Sequence, residues 1–184
     1  DLETADDTEG VNDAEDTSVS LEINWQLNDA VKLTSITSYQ DYELETVTDG
    51  DFISFGFLDI VSAVEIKAFT QEIRFSGETD KLEWNIGAFY SDEEIDRERA
   101  FVWGPAIVFT PFPLTPGLGV LDILSQEGTS YSLFGQVTYS LTDSLSVTAG
   151  LRLNEEEKDG KGNFVQPQAG PLSVVNPSFK ADID

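Results

Sequence analysis

The sequence predicts an all-β protein, an antiparallel transmembrane β-barrel of which this chain supplies about six to seven consecutive strands. Three observations predict this fold class. Short polar turns alternate with long acidic connections, apolar and polar residues alternate within the flanking segments, and aromatic residues recur at two distances from the turns. Tight turns at one end and large loops at the other are typical of barrels that cross a membrane.

The strand assignment depends on an alternation with a period of two residues. Short turns occupy residues 28–30, 79–81 and 142–144. On the approach to the first turn, every second residue is apolar: Val19, Leu21, Ile23, Trp25 and Leu27. The same period follows the second turn and flanks the third, and it places the apolar side chains on one surface of a pleated strand. The sequence therefore predicts six strands, with the weakest pattern in the second and third, and a seventh beginning near Ser178.

Alternation alone also fits a soluble β-sandwich, which has one apolar face as well. The positions of the aromatic residues favour the barrel. Near the turns stand Trp25, Trp84 and Tyr139, and farther along the same faces stand Tyr39, Tyr90 and Tyr131, with Phe69 nearby. The separation of the two rows corresponds to about 15 to 20 Å along a membrane normal. Amphipathic rings favour the two boundaries between lipid and water, so we expect these residues at the membrane interfaces.

Composition excludes several classes of function. The chain of 184 residues has a formal net charge of -25, no Cys and no His. It therefore has no thiolate metal site, no disulfide and no Ser-His-Asp triad. Nucleic acid is disfavoured, because its phosphates require Lys or Arg contacts. We expect no catalytic site, no metal site and no cofactor, and hence not an enzyme.

The predicted organisation is one barrel domain over residues 1–184. Strand regions are expected at residues 18–46, 67–92 and 129–155, an acidic outer loop at 1–17, and further outer loops at 47–66, 93–128 and 156–177. Charged runs after the fourth and sixth strands would continue those strands past the bilayer, where charge costs little.

Two of these connections are apolar, at residues 52–64 and 101–124. The second is so rich in proline that we expect a loop and not a strand, because proline cannot donate to a ladder. Its aromatic residues Trp103, Phe109 and Phe112 are candidate substrate contacts, since loops on a rigid scaffold commonly carry recognition. The simpler explanation, favoured here, is that they pack on one another or on neighbouring loops.

Four segments resemble motifs of the TonB-dependent outer-membrane receptors, in the order in which that family has them. They are LTSITSYQDY at residues 33–42, FTQEIRFSG at 69–77, LEWNIGAFYSDEE at 82–94 and YSLFGQVTYSLTDSLSVTAGLRLNEEEKD at 131–159. The last is similar to the family's strand-turn-strand "ALFGQATYHLTDRLSLTGGLRYTREEKD". The departures are Gln40, where Arg is common, and Leu153-Asn154, where the family has an aromatic residue and a Thr.

The resemblance implies an internal piece of a barrel of the 22-stranded type, with the plug domain outside this sequence. It further implies energised import of a scarce nutrient, such as a ferric siderophore, across the bacterial outer membrane. The implied partners are outer-membrane lipid and lipopolysaccharide, the remaining strands and plug, the TonB system acting through that plug, and a small-molecule substrate. The alternatives are a passive porin or autotransporter-type barrel, or a soluble β-sandwich adhesion or binding domain.

Arginine substitution tests the assigned faces. In the full-length protein, Leu133→Arg or Val147→Arg should destabilise the barrel by roughly 2 to 4 kcal/mol, because the charge enters the middle of the bilayer. Thr138→Arg on the opposite face is the control and should be mild. Urea unfolding in lipid vesicles measures the free energies, and equal tolerance at both faces would count against a membrane wall.

Overall fold

Eight strands and one short helix make up the described chain. The computed structural model describes residues 8–111, 114–166, 173–175 and 178–183. The strands are β1 Val11–Asn28, β2 Val31–Asp49, β3 Leu58–Glu78, β4 Leu82–Trp103, β5 Gly119–Thr142, β6 Leu145–Gln166, β7 Ser173–Val175 and β8 Ser178–Ile183, and a 3₁₀ helix occupies Pro105–Phe109. In the described part of the chain, no helix is long and apolar enough to cross a membrane.

The strands form one antiparallel sheet. β1 to β6 pair in chain order, and β7 and β8 both pair with β6. Both short strands pair with β6 in the same alignment, so they continue one antiparallel ladder along it. The prediction of an all-β antiparallel fold with six long strands is confirmed, and a further strand begins at Ser178 as expected.

Side-chain oxygens close the short turns. In the first turn, Asn28 Oδ1 accepts a hydrogen bond from the Ala30 amide at 2.9 Å. In the second, the Thr79 amide donates to the Leu82 carbonyl oxygen at 2.7 Å, and the Leu82 amide returns a bond to Thr79 Oγ1 at 3.2 Å. Asn and Thr are suited to such turns because their short side chains reach nearby backbone groups. Each turn therefore fixes the register of the hairpin that it joins.

The register builds one continuous apolar face. Residues directly opposite each other on paired strands point to the same side of a sheet. One row that crosses the six long strands contains Trp25, Leu33, Phe75, Ile86, Gly135 and Leu151. A slip of one residue in any pair would move that strand's apolar residues to the opposite face, so the hydrophobic pattern and the turns specify the same alignment.

The opposite face is polar and is linked by hydrogen bonds between strands. Thr34 Oγ1 donates to Asn24 Oδ1 at 2.8 Å, joining β2 to β1. At the other end of the sheet, Arg152 Nη2 donates to Ser132 Oγ at 2.9 Å, joining β6 to β5. Such a face is suited to a wet interior, where water hydrates the exposed polar groups that these bonds leave free.

The apolar face is not covered by any described part of the chain. Trp25 is 62% exposed, Leu133 is 63% exposed and Leu151 is 70% exposed. Among the described residues, the buried hydrophobic core contains a single side chain, Ile107, and it lies in a loop. A soluble sandwich would bury this face against a second sheet, and the described strands provide no second layer. The β-sandwich alternative therefore does not describe this fold.

The strands are longer than the sequence indicated. β1 begins within the predicted acidic loop at residues 1–17, and β2 to β6 extend into the segments predicted as outer loops at 47–66, 93–128 and 156–177. Part of the proline-rich segment at 101–124, predicted not to be strand, completes β4 and begins β5. These boundaries were wrong because solvated carboxylates occur equally in loops and in strands beyond a membrane, and because the prolines fall between the two strand ends.

Candidate functional site

The outer aromatic row is a contiguous group on the apolar face. Tyr39 lies opposite Phe69, and Tyr90 lies opposite Tyr131. The ring centroids of Tyr90 and Tyr131 are 5.2 Å apart, and those of Phe69 and Tyr90 are 6.2 Å apart, both in tilted arrangements. The structure therefore brings together four aromatic side chains that the sequence places on four different strands.

Two tyrosine hydroxyls of this row, those of Tyr39 and Tyr90, point away from the apolar band. Tyr90 Oη donates to Asp92 Oδ2 at 3.2 Å, and Tyr39 Oη makes a longer contact of 3.5 Å with Asp41 Oδ2. In both cases the carboxylate lies two residues farther from the short turn. A ring on apolar surface with its hydroxyl directed to charged groups is the orientation that a boundary between lipid and water favours. The interfacial role of the row stays a prediction.

The row near the short turns occupies the same face. Trp25 and Tyr139 are largely exposed, at 62% and 45%, and Trp84 is partly covered. Gly77 lies opposite Trp84, and a Cβ at Gly77 would come within 2.7 Å of Trp84 Nε1. The glycine therefore leaves room for the indole beside the neighbouring strand.

Polar side chains on the apolar face form hydrogen bonds with one another. Gln71 Oε1 accepts from Thr37 Oγ1 at 2.6 Å, and Gln71 Nε2 donates to Ser35 Oγ and to the Glu72 carbonyl oxygen, both at 3.0 Å. This network links β2 to β3 beside the outer aromatic row. A hydrogen-bonded polar group costs far less in apolar surroundings than an unpaired one. The network therefore fits a surface that is otherwise apolar.

Beyond the outer aromatic row, the two faces of the sheet carry different charges. By register, the face that is apolar lower down becomes strongly acidic, and we call this part the acidic outer surface: Asp41, Glu43, Glu45, Glu65, Asp92, Glu94, Asp96, Glu98, Glu127, Glu155, Glu157 and Asp159. Carboxylate oxygens of Asp41, Glu43 and Glu65 lie within 4.8 Å of one another, and Lys67 forms an ion pair with Glu65. Charge on this side is thus dominated by carboxylates.

The opposite face carries a pair of arginines at the same height. Arg97 and Arg99 stand at alternate positions of β4, on the same face as Thr34 and Arg152. Arg97 Nη2 donates to Asp122 Oδ2 at 2.9 Å, and Arg99 Nη2 lies 3.3 Å from the same oxygen. The Arg99 guanidinium carbon is 5.0 Å from the centroid of the Phe101 ring. Two cationic side chains therefore share one carboxylate.

Lys158 is also on this face, but its charge is already paired. Its ammonium nitrogen lies 2.6 Å from Glu156 Oε1. That hydrogen bond is the main reason that the pKa of Lys158 is raised above its usual value. The lysine therefore stays protonated and neutralises Glu156, whereas Arg97 and Arg99 have a single carboxylate, Asp122, between them.

The two long loops are joined through their backbones. The Gly104 amide donates to the Phe57 carbonyl oxygen at 2.9 Å, and the Ala106 amide donates to the Gly56 carbonyl oxygen at 2.8 Å. Ile107, in the 3₁₀ helix, is only 1% exposed. The connections between β2 and β3 and between β4 and β5 therefore form one ordered unit.

The carboxylates at the end of β2 shape the first of these loops. Asp49 Oδ1 accepts hydrogen bonds from the Asp51 and Phe52 amides, each at 2.9 Å. Asp51 Oδ2 accepts from the Leu58 amide at 2.7 Å. Phe52 has a positive φ of 59°, which is uncommon for a residue with a side chain. These bonds hold the loop in a turn that directs the Phe52 ring outward, where it is 65% exposed.

The structure describes two of the three predicted substrate contacts, Trp103 and Phe109. Phe109 is 89% exposed and does not pack on its own loop. Trp103 is partly buried at the end of β4, where its amide donates to the Leu118 carbonyl oxygen at 2.8 Å. Phe112 lies outside the described residues. Sequence reasoning did not single out Phe55, which is 68% exposed, although it stands in the other apolar loop.

These features define a class of protein. A sheet with an exposed apolar face, aromatic rows at two heights and a polar opposite face is the wall of a transmembrane β-barrel. A family model described as "TonB dependent receptor-like, beta-barrel" matches residues 2–181. The chain belongs to this family. The family comprises transporters of the bacterial outer membrane and not enzymes, which disfavours a passive porin or autotransporter barrel.

A solved structure shows the same fold. The chain is similar to the ferric yersiniabactin uptake receptor FyuA from Yersinia pestis, with a TM-score of 0.67 and 13% sequence identity. The match covers 94% of this chain and 24% of the FyuA chain, so this chain spans about a quarter of the length of that receptor. Among curated proteins no match to this chain is found.

Gly104 tests the junction between the two loops. A Cβ at this position would overlap the Gly56 carbonyl oxygen, so Gly104→Ala should break the two backbone hydrogen bonds. Loss of two such bonds, at about 1 kcal/mol each, should raise the rate of limited proteolysis of these loops by roughly tenfold or more in the full-length protein.

The matched control for this test is Gly128→Ala. The nearest contact of its Cβ would be an ordinary one, 3.7 Å from Lys158 Cγ. Folding of both variants is verified by heat-modifiable migration in gel electrophoresis. Cleavage of Gly104→Ala at the same rate as the control would show that the loops are not held by this junction.

Proposed function

We propose that this chain forms part of the wall, the lumen surface and the outer loops of a TonB-dependent receptor that imports a scarce small solute, of which a ferric siderophore is the leading candidate. The main support for this proposal is the sheet, which is apolar and exposed on one face and polar on the other. The chain also belongs to this barrel family. The siderophore assignment is supported only by the similarity in fold to FyuA, whose printed description names ferric yersiniabactin.

In this proposal the apolar face contacts lipid and the polar face lines the lumen around a plug. The short turns would lie on the periplasmic side, and the long strands and loops would extend outward past the membrane, as in known barrels. A strand needs about 9 to 11 residues to cross the hydrocarbon region, whereas β5 has 24 residues. More than half of β5 would therefore stand above or below the hydrocarbon, where its charged residues stay solvated.

The partners follow from this placement. The apolar face would contact outer-membrane lipid, and the acidic outer surface would lie beside lipopolysaccharide. The polar face would contact the plug and the edge strands would pair with the rest of the barrel, because unpaired backbone groups in hydrocarbon cost several kcal/mol each. The TonB system would act through the plug and not on this segment.

Exposed aromatic side chains at the loop ends would make the first contact with the solute. Phe52, Phe55 and Phe109 are each more than half exposed. An exposed group of large apolar side chains on ordered loops is a common feature of binding surfaces. Trp103 would support this group from the end of β4. Phe112, which lies outside the described residues, remains a predicted substrate contact.

Uptake measurements test the proposal. Cells that depend on the full-length receptor should take up a radiolabelled ferric chelate only when TonB is present. Phe109→Ser should raise the half-saturation concentration by roughly twofold to tenfold and leave the maximal rate unchanged, because an aromatic contact contributes about 0.5 to 1.5 kcal/mol to binding.

Val108→Ser is the control, since Val108 is 58% exposed in the same helix but is not aromatic. It should leave both parameters unchanged. Uptake that persists without TonB would overturn the transport proposal. An effect of Val108→Ser as large as that of Phe109→Ser would overturn the specific role of the Phe109 ring.

A further inference from the structure

We propose that Arg97 and Arg99 form a binding site for an oxyanion group, of the carboxylate type, on the solute that enters the lumen. This inference rests on the proposed function and adds a substrate class to it. The solute would carry at least one such group together with an apolar body. Three features of the site support this assignment: its charge balance, its unused donors and its apolar surroundings.

The charge balance favours an anion. Both guanidinium groups contact a single oxygen, Asp122 Oδ2, at 2.9 and 3.3 Å. One carboxylate for two arginines leaves one positive charge in excess at the pair itself. The other acid that β4 carries on this face, Glu93, stands apart from the pair, in the row of Lys158. Lys158 does not add to this excess, because Glu156 neutralises the lysine at 2.6 Å. Hydrogen bonds between arginine and an oxyanion are among the strongest that proteins make, and they are commonly bidentate.

The arginines retain donors without partners. Each guanidinium has five N–H groups, and within the described residues the hydrogen bonds of each go only to Asp122. The Nε atoms of both side chains are buried and have no hydrogen-bond partner in the described part of the chain. The side chains are nonetheless accessible, with 33% of Arg97 and 40% of Arg99 exposed. The buried Nε atoms are out of reach of a solute, so the donors that remain for an incoming acceptor are the terminal Nη groups, on side chains that Asp122 already holds in place.

The surroundings of the pair are apolar and lie on the lumen side. Arg97 is opposite Val64 on β3 and Leu124 on β5, and the Arg99 guanidinium lies over the Phe101 ring. Such neighbours exclude water and so strengthen an ion pair. The acidic outer surface is on the other face of the same strands, so an anion that approaches through the lumen meets the arginines first. This arrangement fits an amphiphilic anion better than a small, fully hydrated one.

The test uses the purified full-length receptor and two defined ferric chelates. One probe is ferric citrate, an anionic carboxylate complex, and the other is a neutral ferric trihydroxamate. Binding is measured by quenching of protein fluorescence at low and at physiological salt. The double variant Arg97→Gln/Arg99→Gln should weaken binding of the anionic probe by about tenfold or more and remove its dependence on salt, and it should leave binding of the neutral probe unchanged.

Two further variants separate binding from a structural role. Lys67→Gln/Lys161→Gln removes the same charge from the outward face, and should change the affinity for the anionic probe less than twofold. Asp122→Asn removes the competing carboxylate, so it should tighten binding of the anionic probe severalfold. A purely structural ion pair would predict the opposite for Asp122→Asn, because loss of either partner would then weaken binding.

The outcomes distinguish this inference from the function on which it rests. Binding of the neutral probe alone, independent of both arginines, would overturn the oxyanion site and leave the transport proposal standing. Equal losses in the arginine and lysine double variants, or weaker binding in Asp122→Asn, would also overturn the site. Failure of the receptor to bind either chelate, together with uptake independent of TonB, would overturn both.

Discussion

The alternation of side chains across a pleated strand is the constraint on which the rest of this structure depends. Successive residues point to opposite faces, and antiparallel register aligns six strands so that their apolar residues share one face. The sheet has no second layer to cover that face among the described residues. Its stability in an aqueous setting would be poor, and contact with lipid removes the apolar surface from water.

The same alternation continues above the outer aromatic row. There it places most acidic residues on one face of the sheet and the two arginines on the other, in place of apolar and polar residues. In residues 92–99 four of the five acids, Asp92, Glu94, Asp96 and Glu98, occupy even positions on the acidic outer surface. Arg97 and Arg99 occupy odd positions toward the lumen, together with the fifth acid, Glu93. A single strand thus presents most of its carboxylates to the outside and both guanidinium groups to the inside. One geometric rule therefore accounts both for the membrane surface and for a lumen surface that can hold an anion.

The sequence predicted the parts of the fold that leave a periodic pattern. The turns at residues 28–30, 79–81 and 142–144 and the apolar face follow directly from the period of two. The strand ends were not predicted, because hydrated carboxylates look alike in a loop and in an extended strand. The arginine pair was hidden within a charged run, although the period of two in that run was a usable signal. The hydrogen bond between Gly104 and Phe57 left no signal in the sequence, because it joins backbone atoms of residues that are distant along the chain.

The most direct test of the account is a nitroxide scan along β5 and β6 of the full-length receptor in lipid bilayers. Collisions of each nitroxide with oxygen report contact with lipid, and collisions with a water-soluble nickel chelate report contact with water. Oxygen accessibility should peak at Leu133, Val137 and Leu151, and chelate accessibility should peak one residue away, at Ser132, Gln136 and Arg152. Both should vary with a period of two residues and in opposite phase. If the apolar positions were shielded from oxygen, or if both profiles peaked at the same residues, the apolar face would not be in contact with lipid.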